Sequence, residues 1–235
     1  MSLIETFDRN GFAIVKNVLD TETITLLCKA LSNTKSDSSI RQRQNHTYAI
    51  RNLAKTVPEI KQLADSYSIR SLVHSVSGDE AFLVRSLLFD KITEANWKVS
   101  WHQDLTIAVK QKIETAGFTA WSVKAGIDHV QPPVAILESM LTLRIHLDNC
   151  DKSNGALQVI PFSHRRGRLV ASEIKLLKEQ ASSVSCDAQS GDILLMRPLL
   201  LHASSPSLSP AHRRVIHLEF TASELPENLE WFEND

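Results

Sequence analysis

The chain has 235 residues, 43% apolar and 23% charged, which is the composition of an ordinary globular protein. Its 26 basic and 27 acidic side chains leave a formal charge of −1, which excludes a general pull toward nucleic acid or an anionic membrane surface. No run approaches the ~18 apolar residues of a membrane span, and Cys28, Cys150 and Cys186 share no CxxC spacing, so neither a disulfide framework nor a zinc knuckle is expected. The opening "MSLIETFDRNGF" has no apolar signal core, and the chain reads as cytoplasmic.

Along the chain, "GFAIVKNVL" (Gly11–Leu19) reads as a short strand, and "DTETITLLCKAL" as a helix capped by Asp20 or Thr21. Residues 34–47 are polar and aperiodic and read as a mobile loop. Pro58 opens a second helix carrying Ile60, Leu63 and Ala64, which continues through "SIRSLVHSVSG". After Gly78 the character changes. "AFLVRSLLFDKI", "TLRIHLDNC", "GALQVIPFS", "GDILLMRPLLLHAS" and "RRVIHLEFTA" are apolar or β-branched runs broken by turn signals such as Ser153-Asn154-Gly155, the pattern of a sandwich or barrel. A helix over Ser172–Ala181 interrupts them. The expectation is one domain over 1–235: a mainly helical part at 1–78, then a double-sheet β core at 79–222 with an inserted loop at about 110–140.

Within that core, "WHQDLTIAV" places His102 and Asp104 two residues apart, where a strand would point both the same way. Such a pair can be a surface pair, a buried hydrogen bond or two-thirds of a metal site. His202 ends the very apolar stretch "LLMRPLLLHASSP", and Arg213 follows eleven positions later. Two histidines and one carboxylate on separate β segments match the ligand set of a non-haem iron(II) facial triad with open positions. An arginine close behind the second histidine has the planar fork that suits the distal carboxylate of 2-oxoglutarate.

The ordered set "WHQD … LTLRIHLDNCDKSNGALQVIPFSH … GDILLMRPLLLHASSP … RRVIHLEF", with the opening "FDRNGFAIVKNVLDTETITLL", resembles the phytanoyl-CoA dioxygenase family of iron(II)/2-oxoglutarate oxygenases. The resemblance covers most of the chain and implies a double-stranded β-helix (jelly-roll) core. It implies His102, Asp104 and His202 as ligands of Fe(II), Arg213 as the anchor of 2-oxoglutarate, and Ser204 as an assistant. It implies hydroxylation of a small organic molecule with molecular oxygen, releasing succinate and CO2. Asp104 stands where related halogenases carry a small residue, so hydroxylation is favoured, with desaturation or epimerisation open. Rival readings are a cupin-like hydrolase or isomerase that does not use oxygen, and a non-catalytic jelly-roll binding protein.

Strand alternation sets Arg213, Val215, His217 and Glu219 on one face and Arg214, Ile216, Leu218 and Phe220 on the other, and the family spacing selects Arg213 for the pocket. In "LTLRIHLDN", Arg144 falls on the polar face opposite Leu143 and Ile145, where many relatives carry tryptophan. A cation there points to a polar or anionic substrate, against the plainer reading of a solvated edge. Lys124, His129 and Gln131, in the segment from Lys110 to Met140, are candidates to touch substrate as part of a lid or binding loop. Lys91 is a candidate to reach the cofactor pocket, against the plainer reading of a surface lysine. Trp97 and Trp101 read as core or pocket wall, and His164 as a turn histidine.

Overall fold

The computed structural model describes residues 1–34, 40–43, 46–92, 95–208 and 212–234. Helix α1 (Leu3–Asn10) is closed by a reciprocal capping box between Ser2 and Glu5. Strand β1 (Phe12–Val15) follows, and Asp20 then caps α2 (Thr21–Ser32) by accepting from the Thr23 amide at 2.8 Å. The polar stretch at 34–47 lies partly outside the described residues, but it is not all loop. Strand β2 (Ile40–Arg43) pairs antiparallel with β3 (His46–Arg51).

After a single turn, α3 (Leu53–Thr56), Pro58 starts α4 (Pro58–Asp65), where its missing N–H costs nothing. The single helix expected beyond it is two. Ser66 is extended (φ −66°, ψ 152°) and separates α4 from α5 (Tyr67–Ser77), so that Ile60, Leu63, Ile69 and Val73 all reach the same core.

The β region contributes β4 (Phe82–Asp90), β5 (Val99–His102), β6 (Ile107–Val109), β7 (Thr119–Lys124) and β8 (Ile127–Gln131). A short helix α6 (Val134–Ser139) leads to β9 (Leu141–His146) and β10 (Leu157–Val159). Helix α7 (Ala171–Gln180) then precedes β11 (Val184–Cys186), β12 (Ile193–Met196), β13 (His202–Ser204) and β14 (Arg214–Thr221). They form antiparallel sheets in the orders β1-β12-β9-β14-β4-β3-β2, β11-β10-β13-β5 and β6-β8-β7. The expected inserted loop at 110–140 therefore holds the β7–β8 hairpin and α6. Nor is residue 78 a structural boundary, because β1 and β3 from before it extend the largest sheet.

Alternation sorts the large sheet. Leu141, Leu143, Ile145, Ile216, Leu218 and Phe220 face the helices and pack with Phe7, Leu27, Ile60 and Val73. The intervening residues, Arg144 and His217 among them, face the four-stranded sheet, and the site lies between these two sheets.

Candidate active site

β5 and β13 are antiparallel neighbours, and their register sets His102 directly opposite His202, with ring centroids 4.2 Å apart. β5 ends at His102, so Asp104 stands just past the strand, where its amide donates to the Pro198 carbonyl at 2.9 Å. Each imidazole has its Nδ1 2.8 Å from a backbone carbonyl two residues earlier, Ser100 for His102 and Leu200 for His202. A carbonyl can only accept, so Nδ1 carries the proton and Nε2 keeps its lone pair. Those Nε2 atoms face the two oxygens of Asp104 at 3.7 and 3.8 Å, and the three ligand atoms all lie within 4.8 Å of one another. Burial pushes His202 down to about 4, so it is neutral near pH 7. At Asp104 burial works the other way, but the field of His202, His217, His102 and Arg85 outweighs it and holds the carboxyl at about 2. Two lone-pair nitrogens and an ionised carboxylate oxygen are the donor set a divalent iron takes, so the residues present fit the ion.

The triad lies on the wall of a cavity of about 270 Å³, which Arg213, Lys91 and Ser204 also line. Arg213 and Lys91 face each other across paired backbones, exchanging N–H···O bonds of 3.2 and 3.3 Å. Arg213 Nη1 donates to the Gly155 carbonyl, which also accepts from Ser204 Oγ at 3.0 Å. Lys91 Nζ donates to Ser204 Oγ at 2.6 Å and to the Ser205 carbonyl at 2.5 Å. The surface reading of Lys91 fails: the residue is 1% exposed, because its stem runs along the cavity wall and its ammonium sits 5.8 Å from the Trp97 ring. Burial first, then neighbouring Arg213, pushes it down to about 7. Arg213 is 3% exposed, its Nε has no partner, and among the described residues no carboxylate pairs with either cation. Buried cations in that condition suit an anion. Arg214, one residue on, turns outward and makes a fork to Asp148 at 2.7 and 2.9 Å.

A model of the family described as phytanoyl-CoA dioxygenase (PhyH) matches residues 7–215. The chain belongs to the PhyH family. Among curated relatives, it is 21% identical over 246 residues to the ectoine dioxygenase of Sphingopyxis alaskensis, covering 92% of this chain and 74% of that one. It is 24% identical over 184 residues to phytanoyl-CoA dioxygenase 1 of Oryza sativa subsp. japonica, covering 74% of this chain and 56% of the other. Among solved structures it resembles EctD from S. alaskensis with bound Fe, at a TM-score of 0.73 and 20% identity over 93% of this chain and 75% of that one. It also resembles the non-heme alpha-ketoglutarate-dependent epimerase SnoN, at a TM-score of 0.66 and 16% identity over 96% and 89% of the two chains. The fold is thus the double-stranded β-helix of these oxygenases, and the chain is an enzyme of the non-haem iron(II)/2-oxoglutarate dioxygenase class.

In this PhyH member Arg144 is 8% exposed, so the solvated-edge reading fails. The strand pairing sets it opposite His217, and Arg144 Nη1 lies 3.2 Å from His217 Nδ1. An arginine can only donate, so His217 carries its proton on Nε2 and gives it to Glu219 Oε1 at 2.9 Å. The same oxygen accepts from Arg85 Nη1 at 3.2 Å. Arg85, His217 and Glu219 went unread in the sequence as site residues, although β14 alternation had already put the last two on the pocket face. Their roles depend on cross-strand pairing, which carries no local motif. Of the candidates in the 110–140 segment, Lys124 lines a second cavity. His129 is buried in the middle strand of the three-stranded sheet, where its Nδ1 lies 3.0 Å from the Ile127 carbonyl and burial pushes it down to about 4. Gln131 ends the same strand, and neither it nor His129 lines the triad cavity or this second one. No helix among the described residues is long and apolar enough to cross a membrane.

Proposed function

We propose that this chain hydroxylates a small organic molecule, holding Fe(II) on His102, Asp104 and His202 and anchoring 2-oxoglutarate by Arg213, with Ser204 and Lys91. The observation that carries this reading is the division of one cavity: a metal-donor set on one wall and unpaired buried cations on another. When bound, iron with 2-oxoglutarate supplies the oxidising power, consuming molecular oxygen and releasing succinate and CO2. The protein fixes geometry and charge. Ser100 and Leu200 carbonyls hold the two imidazoles in the tautomer that presents Nε2. Arg213 would donate a fork to the distal carboxylate of the co-substrate, and Ser204, which donates to the Gly155 carbonyl and accepts from Lys91 Nζ, holds that ammonium beside it. Lys91 adds a second cation whose charge burial, and then Arg213, hold down, so an incoming carboxylate would relieve the repulsion between them. Arg144, buried with an unpaired Nε, supports a polar or anionic substrate.

The test is oxygen uptake with matching succinate release from the purified chain and 2-oxoglutarate, with and without Fe(II). Slow substrate-free turnover that requires both iron and oxygen is expected, and Asp104→Ala or His202→Ala should abolish iron binding. Neither variant removes packing that the apolar strands need. Iron stoichiometry unchanged in both would place the metal elsewhere, and turnover without oxygen would leave the hydrolase or isomerase reading.

A further inference from the structure

The triad cavity shares a wall with a larger one of about 520 Å³, since Arg85, Leu87, Phe89 and Trp97 line both. The larger cavity adjoins the triad cavity, and its charge is one-sided. Arg41 and Arg51 enter it from the β2–β3 hairpin, Lys124 from the β7–β8 hairpin and Arg85 from β4, and among the described residues no acidic one lines it. Arg85 is already committed to Glu219 at 3.2 Å. The other three are not: among the described residues no carboxylate pairs with Arg41, Arg51 or Lys124, and Lys124 Nζ reaches only Thr106 Oγ1 at 3.5 Å. Arg51 is the most exposed to the consequences, because its Nε is buried and has no partner. Burial first, then the like charges of Arg85 and Arg41, push Arg51 down to about 10, and burial followed by Arg85 and Arg51 lowers Lys124. Two rings, Tyr48 and Trp97, line the same cavity, packed edge to face with centroids 5.6 Å apart.

Cations brought together from three separate elements repel one another, and an anion bound among them relieves that repulsion. A pocket that adds aromatic walls selects a ligand with an apolar or ring-shaped body next to the charge. We propose that the substrate carries an anionic head, a phosphate or a carboxylate, held by Arg51, Lys124 and Arg41 beside Tyr48 and Trp97. The carbon to be oxidised then reaches past Phe89 toward His102, Asp104 and His202. This rests on the proposed oxygenase reading for the role of the inner cavity, but the head-group site stands on its own residues.

The experiment is isothermal titration calorimetry of the full chain, without oxygen, with phenyl phosphate, benzoate and benzyl alcohol as probes. Each titration is run with and without Fe(II) and 2-oxoglutarate. Phenyl phosphate should bind more tightly than benzyl alcohol, and raising the salt should weaken the two anions and leave benzyl alcohol unchanged. Arg51→Gln and Lys124→Gln should each weaken phenyl phosphate about tenfold or more, the size of a lost charge-assisted hydrogen bond. Lys175→Gln, on the exposed face of α7, should bind like the parent. Thermal melts show that each variant is folded, and the salt series on the parent tests the proposal even if one is not. Tighter binding of benzoate than of phenyl phosphate assigns a carboxylate head. Benzyl alcohol binding as well as the anions, or parent-like affinity in folded variants, overturns the proposal. A chain that binds phenyl phosphate but no iron overturns the oxygenase reading and leaves this one standing.

Discussion

Arg213 and Arg214 are adjacent, chemically identical and buried or half-buried, yet their surroundings differ completely. Arg213 lies in the cavity with an unpaired Nε, while Arg214 spends its fork on Asp148. Strand alternation alone says that the two must face opposite ways, and of the two it is Arg213 that lines the triad cavity. Arg213→Ala should raise the dissociation constant of 2-oxoglutarate by roughly 10- to 100-fold, the range of a hydrogen bond to a charged group. Iron binding should persist. Arg214→Ala should leave 2-oxoglutarate affinity alone and instead cost about 1–3 kcal/mol of stability, because Asp148 loses its partner while partly buried. Calorimetric 2-oxoglutarate titrations and denaturant melts of the two variants separate the roles. A reversed pattern would mean that Arg214 swings into the cavity when the cofactor binds.

At the scale of elements, the turn between β9 and β10 shows how a loop can position a site. Asp151 caps a short turn at Lys152–Asn154, and Gly155 leaves it with φ +81°. Its carbonyl then receives both Arg213 and Ser204. A Cβ at Gly155 would be strained by that φ and would meet the Ser205 carbonyl oxygen at 2.4 Å, a backbone atom that cannot swing aside. Gly155→Ala should therefore destabilise the chain by about 1–3 kcal/mol and weaken 2-oxoglutarate together with it. Parent-like melting and parent-like cofactor affinity in that variant would show that the carbonyl does not set the anchor. The Ser-Asn-Gly signal marked this turn in the sequence, and the alternation in "LTLRIH" and "RRVIHLEF" marked both central strands. The β7–β8 hairpin was not legible for a physical reason. β7 is largely exposed on both faces, so "TAWSVK" carries no period-2 pattern to read. The break at Ser66 was missed because apolar residues continue at helical spacing on both sides of it. The Arg85–Glu219–His217–Arg144 chain was missed because pairing across strands, not proximity in sequence, assembles it.

For the molecule as a whole, the segment after β14 closes the fold rather than trailing from it. Leu229 and Trp231 are buried with Ile107, Val109, Val130 and Leu137, and the backbone runs beside β6 through bonds from Lys110 to the Glu230 carbonyl and from Phe232 to the Ala108 carbonyl. Glu233 is buried as well. Its carboxyl accepts from the Ser86 amide at 2.8 Å and from the Ser86 hydroxyl, and that hydroxyl in turn accepts from the Ala54 amide at 2.7 Å. One side chain thus ties the end of the chain to β4 and α3, on the far side of β4 from the cavity-lining Arg85. Burial drives its pKa up from 4.5 to about 7, nearby Glu219 adds to the rise, and the Ser86 bonds and Arg85 oppose it. A pKa raised by folding means that the native state binds the proton more tightly than the unfolded chain does. The stability Glu233 contributes is therefore complete below about pH 4.5 and is lost as the pH rises through about 7. Glu233→Gln keeps an oxygen for Ser86 and removes the charge, so its melting temperature should match the parent near pH 4 and exceed it at pH 8.5. The expected gap is on the order of 1–3 kcal/mol, or several degrees for a chain of this size. Parallel melting curves across that range would show that Glu233 stays ionised in the fold, and that the carboxylate, not the acid, ties the C-terminal segment to Ser86.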